Sequence, residues 1–200
     1  FVNDAFGAAH RAHSSTAGVA QFLPSVAGLL MEAEVLALGA LLRNPERPFV
    51  AIIGGAKVAD KIPVLENLIT KVDTLLIGGG MTYAFAVAGS MDPGNNPVDP
   101  AVLGAAKKVI AMAESRGVNL MLPVDNVAAD AFSETANTLV IEGALPKGWL
   151  ALDIGPKSRK AFAEVIRSAR TVFWNGPLGV SEMTPFRGGT DAIAEAVAAC

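Results

Sequence analysis

Short apolar runs alternate with longer amphipathic stretches along the chain after residue 48. The runs are almost continuously hydrophobic, which is typical of strands that are covered on both faces in a parallel sheet. They predict strands at 49–53, 74–77, 119–122, 150–154 and 171–174, and 138–141 is a weaker candidate for a sixth. The helical periodicity between the runs predicts helices at 61–71, 81–87, 100–116, 156–168 and 190–199. This alternation predicts an α/β fold, a doubly wound parallel sheet with helices on both faces in three layers.

The stretch before residue 48 has a different pattern. Apolar residues recur at helical spacing from 25 to 43, and Asn44-Pro45 ends the pattern. Because this stretch precedes the first strand instead of connecting two strands, we expect a long helix that leads into the α/β domain. The chain begins without Met and stops at Cys200 inside a helical pattern with no capping glycine. We therefore expect a piece of a longer protein.

Composition and charge narrow the class of protein. Of the 200 residues, 52% are hydrophobic and 18% are charged, which indicates a packed core and not a disordered chain. Sixteen basic residues against nineteen acidic ones give a net charge of −3, so no broad basic surface for nucleic acid is expected. Charged residues interrupt each apolar run before it reaches the roughly 20 residues that a membrane span needs. The one cysteine, Cys200, excludes an internal disulfide and a cysteine-based zinc site, and it favours a reducing, intracellular setting.

Four of the five predicted strands are followed by glycine. The four segments are Gly54-Gly55, Gly78-Gly79-Gly80, Gly155-Pro156 and Asn175-Gly176-Pro177. In an open parallel sheet, ligands bind at the carboxyl ends of the strands. Glycine lets a ligand approach the backbone and leaves amide N–H groups free to donate hydrogen bonds. The sequence therefore predicts a ligand site at this edge of the sheet.

The segment after the first strand continues into a candidate phosphate site. Lys57 follows the two glycines, and Lys61 lies four residues later, where Asp60 is predicted to cap a helix whose first turn holds Pro63. A helix N-terminus favours anions, so the two lysines beside free amides would form a phosphate cradle. The alternative is a pair of solvated lysines near a tight turn. Neither G-x-x-x-x-G-K-[ST] nor G-x-G-x-x-G follows a strand, so the common nucleotide motifs do not apply.

A second polar constellation lies in the first fifteen residues. Its members are Asn3, Asp4, His10, Arg11, His13, Ser14 and Ser15. An arginine between two histidines could bind an acidic substrate through bidentate hydrogen bonds. The spacing alone favours the alternative, a capped loop whose histidines are satisfied locally. No H-E-x-x-H metal motif and no G-x-S-x-G hydrolase motif occurs.

Several of these segments together resemble the phosphoglycerate kinase family. Residues 2–7 (Val-Asn-Asp-Ala-Phe-Gly) and 9–15 (Ala-His-Arg-Ala-His-Ser-Ser) are similar to the end of that family's N-terminal domain. Residues 47–62, with Gly-Gly-Ala-Lys-Val-Ala-Asp-Lys inside them, resemble its phosphate loop. The segments 76–81, 122–125, 152–156 and 174–180 continue the resemblance in order, so it covers essentially the whole chain.

The resemblance implies a reaction and a domain plan. The reaction moves a phosphoryl group from 1,3-bisphosphoglycerate to ADP, giving 3-phosphoglycerate and ATP, with Mg²⁺ carried by the nucleotide. Residues 1–24 would end a phosphoglycerate-binding domain, 25–44 would be the interdomain helix, and 45–200 would be a Rossmann-like nucleotide-binding domain, truncated at its C-terminal end. A monomeric cytoplasmic enzyme with no membrane or nucleic-acid partner is expected. Most of the family's first domain and its later Gly-Gly-Gly-Asp segment are absent from this chain, so we expect the chain alone to be inactive.

The resemblance also implies roles for individual residues. Lys57 would lie beside the transferring phosphoryl group, Arg11 would belong to the patch that binds phosphoglycerate, and both are the expected catalytic residues. The implied nucleotide-binding residues are Gly55, Ala56, Lys61, Gly78, Gly79, Gly155, Asn175, Pro177 and Glu182. Among them, Lys61 would contact phosphates, Glu182 would hold the ribose, and Gly78, Gly79 and Gly155 would line the adenine pocket. No residue of this chain is expected to bind a metal directly.

The chemistry of this reaction explains why no catalytic base stands in the loops. In the ATP-consuming direction the nucleophile is a carboxylate, which has a reference pKa near ~4 and is already ionised at neutral pH. The protein then has to position the reactants and neutralise charge on the transferring group. Two alternatives stay open: a non-catalytic nucleotide-binding module on the same fold, and a nicotinamide-dependent dehydrogenase, which the missing glycine fingerprint disfavours.

Overall fold

The computed structural model describes residues 1–55, 58–91 and 98–200, without the side chains of residues 58–60. It divides into two compact units, Phe1–Pro45 and Glu46–Cys200. Ala56 and Lys57, two of the predicted site residues, lie outside the described residues. Within the described ranges, no helix combines the length and the apolar character that crossing a membrane requires.

The first unit contains a two-stranded parallel sheet and one long helix. Strands β1 (Val2–Asn3) and β2 (Val26–Ala27) pair, and helix α1 spans Leu29–Arg43. The prediction of a helix from residue 25 was wrong for its first four residues, because 26–27 pair with β1 and Gly28 takes extended backbone. The carboxylate of Asp4 accepts the N–H of Met31 at 2.8 Å and so caps the helix from a distant part of the chain. Short helical turns lie at Phe6–Ala8, Ser14–Gly18 and Val19–Gln21.

The second unit contains seven strands and five helices within its described residues. In chain order they are β3 (Phe49–Ile53), α2 (Val58–Leu68), β4 (Thr74–Ile77), α3 (Thr82–Ala88), α4 (Pro100–Arg116), β5 (Asn119–Met121), β6 (Asp125–Ala129), β7 (Thr138–Glu142), β8 (Leu150–Ile154), α5 (Pro156–Arg167), β9 (Thr171–Asn175) and α6 (Gly188–Ala198). Short helical turns lie at Gly79–Met81 and Thr184–Phe186.

A parallel sheet in the order β5-β4-β3-β9 forms the centre of this unit. Alternate side chains of β3 enter two different hydrophobic clusters, as the two-residue period of a strand requires. Phe49 packs with side chains of α2, α3 and α4, whereas Ile52 packs with Phe162 of α5 and Ile193 of α6. Helices therefore cover both faces of the sheet, which confirms the predicted doubly wound, three-layer α/β fold.

A second sheet, in the order β7-β6-β8, is antiparallel. The prediction that 150–154 belongs to the parallel sheet was wrong, because this strand pairs with β6, from Asn126↔Ile154 to Ala129↔Leu150. Strand β6 itself was not predicted, since it opens with Asp125-Asn126 and has no long apolar run. The weaker candidate at 138–141 is confirmed as β7. An apolar run predicts that a strand is buried, but it does not predict the neighbouring strand with which that strand pairs.

The helix boundaries follow their local signals closely in most cases. Helix α4 has the predicted bounds, and the carboxylate of Asp99 caps it by accepting the N–H of Ala101 at 2.7 Å. Helix α2 begins three residues earlier than predicted, at Val58. Asp60 therefore lies inside the helix and is not its N-cap, and Pro63 lies beyond the first turn.

Candidate functional site

Three loops meet at the carboxyl edge of the parallel sheet, where β3, β4 and β9 end. The N–H of Gly54 donates to Asn175 O at 2.9 Å, and the N–H of Gly55 donates to Pro177 O at 2.9 Å. From the loop after β4, the N–H of Gly79 donates to Leu178 O at 3.0 Å. These amides are used within the protein, so the prediction that they are free to bind a ligand was wrong for them. The hydrogen bonds instead fix the three loops to one another.

Two of these glycines are required by the close approach of the loops. A Cβ on Gly54 would lie 2.0 Å from Pro177 O. Because this is a backbone atom, the two loops would have to move apart to make room for a side chain. Gly79 has a φ of +67°, and a Cβ there would lie 2.6 Å from Gly55 N. Gly55 faces open space instead. The glycine pattern after the strands thus builds the floor of a site, with Gly55 at its open side.

A cleft of about 510 Å³ opens above these loops. Four of the predicted nucleotide-binding residues line it together: Gly55, Gly79, Pro177 and Glu182. The lining also includes the apolar side chains of Phe132, Leu152 and Val180. The volume lies within the roughly 300–1,000 Å³ that is usual for small-molecule sites. A mostly apolar cleft with one carboxylate suits a flat ring joined to a group that carries hydroxyls.

An adjoining cavity of about 380 Å³ shares Phe132 and Leu152 with this cleft and extends to Tyr83 and Trp149. Neither Phe132 nor Trp149 was predicted from the sequence as a site residue. Phe132 is 61% exposed and sits in a loop otherwise made of small and polar residues. An aromatic residue in such a loop is the signal that could have indicated it.

Lys61 and Asn175 lie together beside the glycine loops and do not line the cleft. Lys61 is half-buried on α2, and its Nζ donates a hydrogen bond to Asn175 Oδ1 at the end of β9. An ammonium group has three donors, so this one contact leaves donors for a ligand. The two predicted residues are therefore brought together, close to the glycine loops.

Two predicted glycines lie outside the lining of the cleft. Gly78 is buried, and a Cβ there would lie 2.1 Å from the Leu178 side chain. Gly155 is also buried, and a Cβ there would lie 2.2 Å from the Asp125 carboxyl carbon. Both positions are set by packing.

Asp125 acts as a long-range cap for α5. Its carboxylate accepts the N–H of Lys157 at 2.9 Å and of Ser158 at 2.8 Å, and the Ser158 hydroxyl at 2.6 Å. Burial alone would raise the pKa of Asp125, but these hydrogen bonds outweigh it and lower the pKa below its ordinary value. The Asp4 carboxylate and α1 use the same arrangement, in which glycine precedes the helix and a distant aspartate caps it.

Arg11 lies in the first unit, in an exposed loop. Its Nε donates to His10 Nε2 at 3.3 Å. The Thr16 hydroxyl accepts the N–H of His13 at 3.1 Å and donates to Arg11 O at 2.7 Å. These contacts form the capped loop that the spacing favoured, and they leave the Arg11 guanidinium with unused donors.

The described residues contain no group of three or more His, Cys, Asp or Glu side chains placed to hold a metal ion. The cleft carries one carboxylate, Glu182. The donor set of the described protein alone therefore does not match that of a resident metal site.

Comparison with known proteins gives consistent matches over the whole chain. The family model for phosphoglycerate kinase matches residues 1–200. The phosphoglycerate kinase of Roseiflexus castenholzii is 59% identical over 201 residues, covering 100% of this chain and 51% of the relative. That of Chloroflexus aggregans is 57% identical over 199 residues, covering 99% of this chain and 50% of the relative.

Solved structures give the same result. The structure of phosphoglycerate kinase from Coxiella burnetii matches with a TM-score of 0.89 and 43% identity, covering 99% of this chain and 52% of that one. The enzyme from Pyrococcus horikoshii matches with a TM-score of 0.86 and 30% identity, covering 98% of this chain and 50% of that one. The chain spans about half the length of the curated relatives that it matches.

Proposed function

Because this chain belongs to the phosphoglycerate kinase family, we propose that it forms the nucleotide-binding half of an enzyme that converts 1,3-bisphosphoglycerate and ADP into 3-phosphoglycerate and ATP. Residues 45–200 form the nucleotide domain in this proposal. Residues 1–24 end the phosphoglycerate-binding domain, and 25–44 form the helix between the two. The enzyme acts as a monomer in the cytoplasm.

The cleft at the carboxyl edge of the parallel sheet carries this proposal. Gly55, Gly79, Pro177 and Glu182 come from three separate loops, and all four line one cavity. Its apolar lining suits a purine ring, and the Glu182 carboxylate can accept hydrogen bonds from the two ribose hydroxyls. Lys61, which bonds Asn175 beside the glycine loops, suits the phosphates of the same nucleotide.

Phosphoryl transfer in this site rests on positioning and charge neutralisation. The attacking group is a carboxylate, which needs no general base. Lys57, outside the described residues, stands beside the transferring phosphoryl in this proposal, and Lys61 contacts the phosphates of the nucleotide. Helix α2 begins at Val58, so its N-terminal amides and dipole favour negative charge next to them. Arg11 contributes to holding the phosphoglycerate.

Magnesium enters this proposal as part of the nucleotide substrate. Mg²⁺ bound to the phosphates offsets their charge during transfer.

Calorimetric titration of the chain with MgADP tests the nucleotide site. We expect binding, and we expect Glu182→Ala to weaken it by at least about tenfold, since each hydrogen bond to a charged group contributes on this scale. Glu195→Ala on α6 is the matched control, since this residue is exposed and does not line the cleft. Absence of MgADP binding, or equal affinity in the Glu182 variant, would refute the proposal. A titration with NADH that gives the stronger binding would support a dinucleotide enzyme instead.

A further inference from the structure

Asp153 is a buried carboxylate without a role in the site described so far. It lies at the end of β8, and its side chain is 0% exposed. Oδ2 accepts the N–H of Gly189 at 2.6 Å and a hydrogen bond from Arg159 Nη2 at 2.9 Å. Oδ1 accepts the N–H of Ile154 at 2.8 Å. Burying an ionised group is costly unless it is paired and hydrogen-bonded, and here three N–H donors satisfy it.

The carboxylate lies between a loop of the cleft and the first turn of α6. A Cβ on Gly179 would lie 2.3 Å from Asp153 Oδ1, and a Cβ on Gly189 would lie 2.2 Å from the same atom. Gly179 lines the nucleotide cleft, and Gly189 belongs to α6. The absence of side chains at these two positions lets the carboxylate contact both backbones at once.

Other contacts hold the same loop against the same two elements. The N–H of Val180 donates to Leu152 O of β8 at 2.8 Å. The N–H of Leu178 donates to the Thr190 hydroxyl of α6 at 3.1 Å. The backbone from 178 to 180 is thus fixed on both sides of Asp153. Glu182, exposed and two residues further on, projects from this fixed backbone into the cleft.

We propose that Asp153 is a positioning residue for the nucleotide cleft, which holds the loop 178–182 against α6 and thereby sets the position of the Glu182 carboxylate. This inference rests on the proposed function, because it assumes that Glu182 contacts the ribose. Arg159 supports it from the other side, since its guanidinium donates both to Asp153 Oδ2 and, through Nε, to Ile154 O at 3.0 Å.

Asparagine is the sharpest substitution for Asp153. It has nearly the same shape but only one acceptor oxygen, whereas three N–H donors converge on the carboxylate. An amide NH₂ in either position would face at least one of these donors. The loop and the start of α6 would then separate slightly, and Glu182 would move with the loop.

The test compares binding of ADP with binding of 2′,3′-dideoxy-ADP, which lacks the hydroxyls that Glu182 would contact. For the unmodified chain we expect ADP to bind about tenfold more tightly. Asp153→Asn should bring this ratio close to one, as Glu182→Gln should, while the affinity for dideoxy-ADP changes little. A substitution that merely destabilises the fold would weaken both ligands equally and leave the ratio unchanged. Asp191→Asn, on the exposed side of α6, is the matched control and should keep the original ratio.

Arg159→Gln provides a second route to the same loop if Asp153→Asn does not fold, because the Arg159 side chain is 26% exposed and easier to replace. It should lower the ratio in the same direction and by less. An unchanged ratio of ADP to dideoxy-ADP affinity in a folded Asp153→Asn variant would overturn the positioning role and leave the proposed function intact. If Asp153→Asn does not fold, an unchanged ratio in Arg159→Gln would do the same. If the unmodified chain binds ADP and dideoxy-ADP equally well, the ribose role of Glu182 is overturned, and this inference with it.

Discussion

Lys61 donates its hydrogen bond to Asn175 beside the glycine loops, and we propose that it binds the phosphates of the nucleotide. A contact of this kind exists before and during transfer, so removing it should affect binding more than turnover. In a longer protein that contains this chain, we expect Lys61→Ala to raise the KM for ATP about tenfold, or ~1.4 kcal/mol of lost binding, with little change in kcat. Steady-state kinetics with varied ATP would measure this.

Two further variants serve as a comparison and a control for Lys61→Ala. Lys57→Ala should instead lower kcat by about 10²–10³-fold, the scale for one preorganised donor at a developing charge. Lys160→Ala, exposed on α5, should change neither parameter. A collapse of kcat in Lys61→Ala with an unchanged KM would mean that the roles of the two lysines are reversed.

Asp125 gives the fold a defined dependence on pH. Burial tends to raise the pKa of Asp125, but its hydrogen bonds with Ser158 and Lys157 have the larger effect and hold the pKa below its ordinary value. A carboxyl with a lowered pKa in the folded state stabilises the fold above its unfolded pKa, and this contribution disappears as the pH falls through the folded value. We expect Asp125→Asn to reduce the free energy of unfolding by about 1–2 kcal/mol at pH 7, as for the loss of a helix cap. The reduction should become smaller as the pH falls below the ordinary pKa of the carboxyl group.

Urea denaturation of both proteins between pH 7 and pH 3 measures the Asp125 effect. Glu164→Gln on the exposed side of α5 serves as a control and should track the unmodified chain at every pH. A constant difference across the range would show that the cap acts through shape and not through charge. Asp153 behaves in the opposite sense, because burial raises its pKa, so acidification favours the folded state at that residue.

At the scale of the elements, replacing glycine by alanine should have opposite effects on stability in a loop and in a helix. A Cβ on Gly54 would meet Pro177 O at 2.0 Å, whereas Gly104, exposed in α4, has no other atom within 4 Å of a Cβ. We expect Gly54→Ala to lower the free energy of unfolding by about 1–3 kcal/mol through overpacking. Gly104→Ala should raise it by about 0.5–1 kcal/mol, because alanine favours helix. Thermal or urea unfolding gives both values, and a Gly54 variant as stable as the parent would contradict the interlocked loops.

The elements that could be predicted from the sequence are those whose signals are local. Helix α4 is bounded by Asp99-Pro100 and Gly117, so its predicted limits agree with the structure. The glycines after the strands were correctly located, but their amides pair with neighbouring loops, and a sequence does not report which backbone groups meet. The apolar lining of the cleft was missed for the same reason. Phe132 and Leu152 reach it through the antiparallel pairing of β6 with β7 and β8, which depends on contacts between distant segments.

At the scale of the whole chain, the hydrophobic core lies in the second unit. In the described part of the chain, every buried hydrophobic residue falls between Phe49 and Ala196. In the first unit, Phe22 and Leu29 are 82% and 84% exposed. The second unit therefore has the apolar contacts to fold on its own, and it contains every residue that lines the candidate nucleotide cleft.

We consequently expect this chain to bind nucleotide without catalysing phosphoryl transfer. Transfer requires the phosphoglycerate to lie in line with the nucleotide, and that alignment is worth up to ~7–11 kcal/mol of the barrier. Of the phosphoglycerate-binding residues that the resemblance implies, this chain carries Arg11, and it spans about half the length of its relatives. We expect the 200-residue chain to bind MgADP weakly and to show no turnover in a coupled assay with both substrates. A full-length relative is the positive control, and appreciable turnover by the chain alone would refute the view that the two halves must act together.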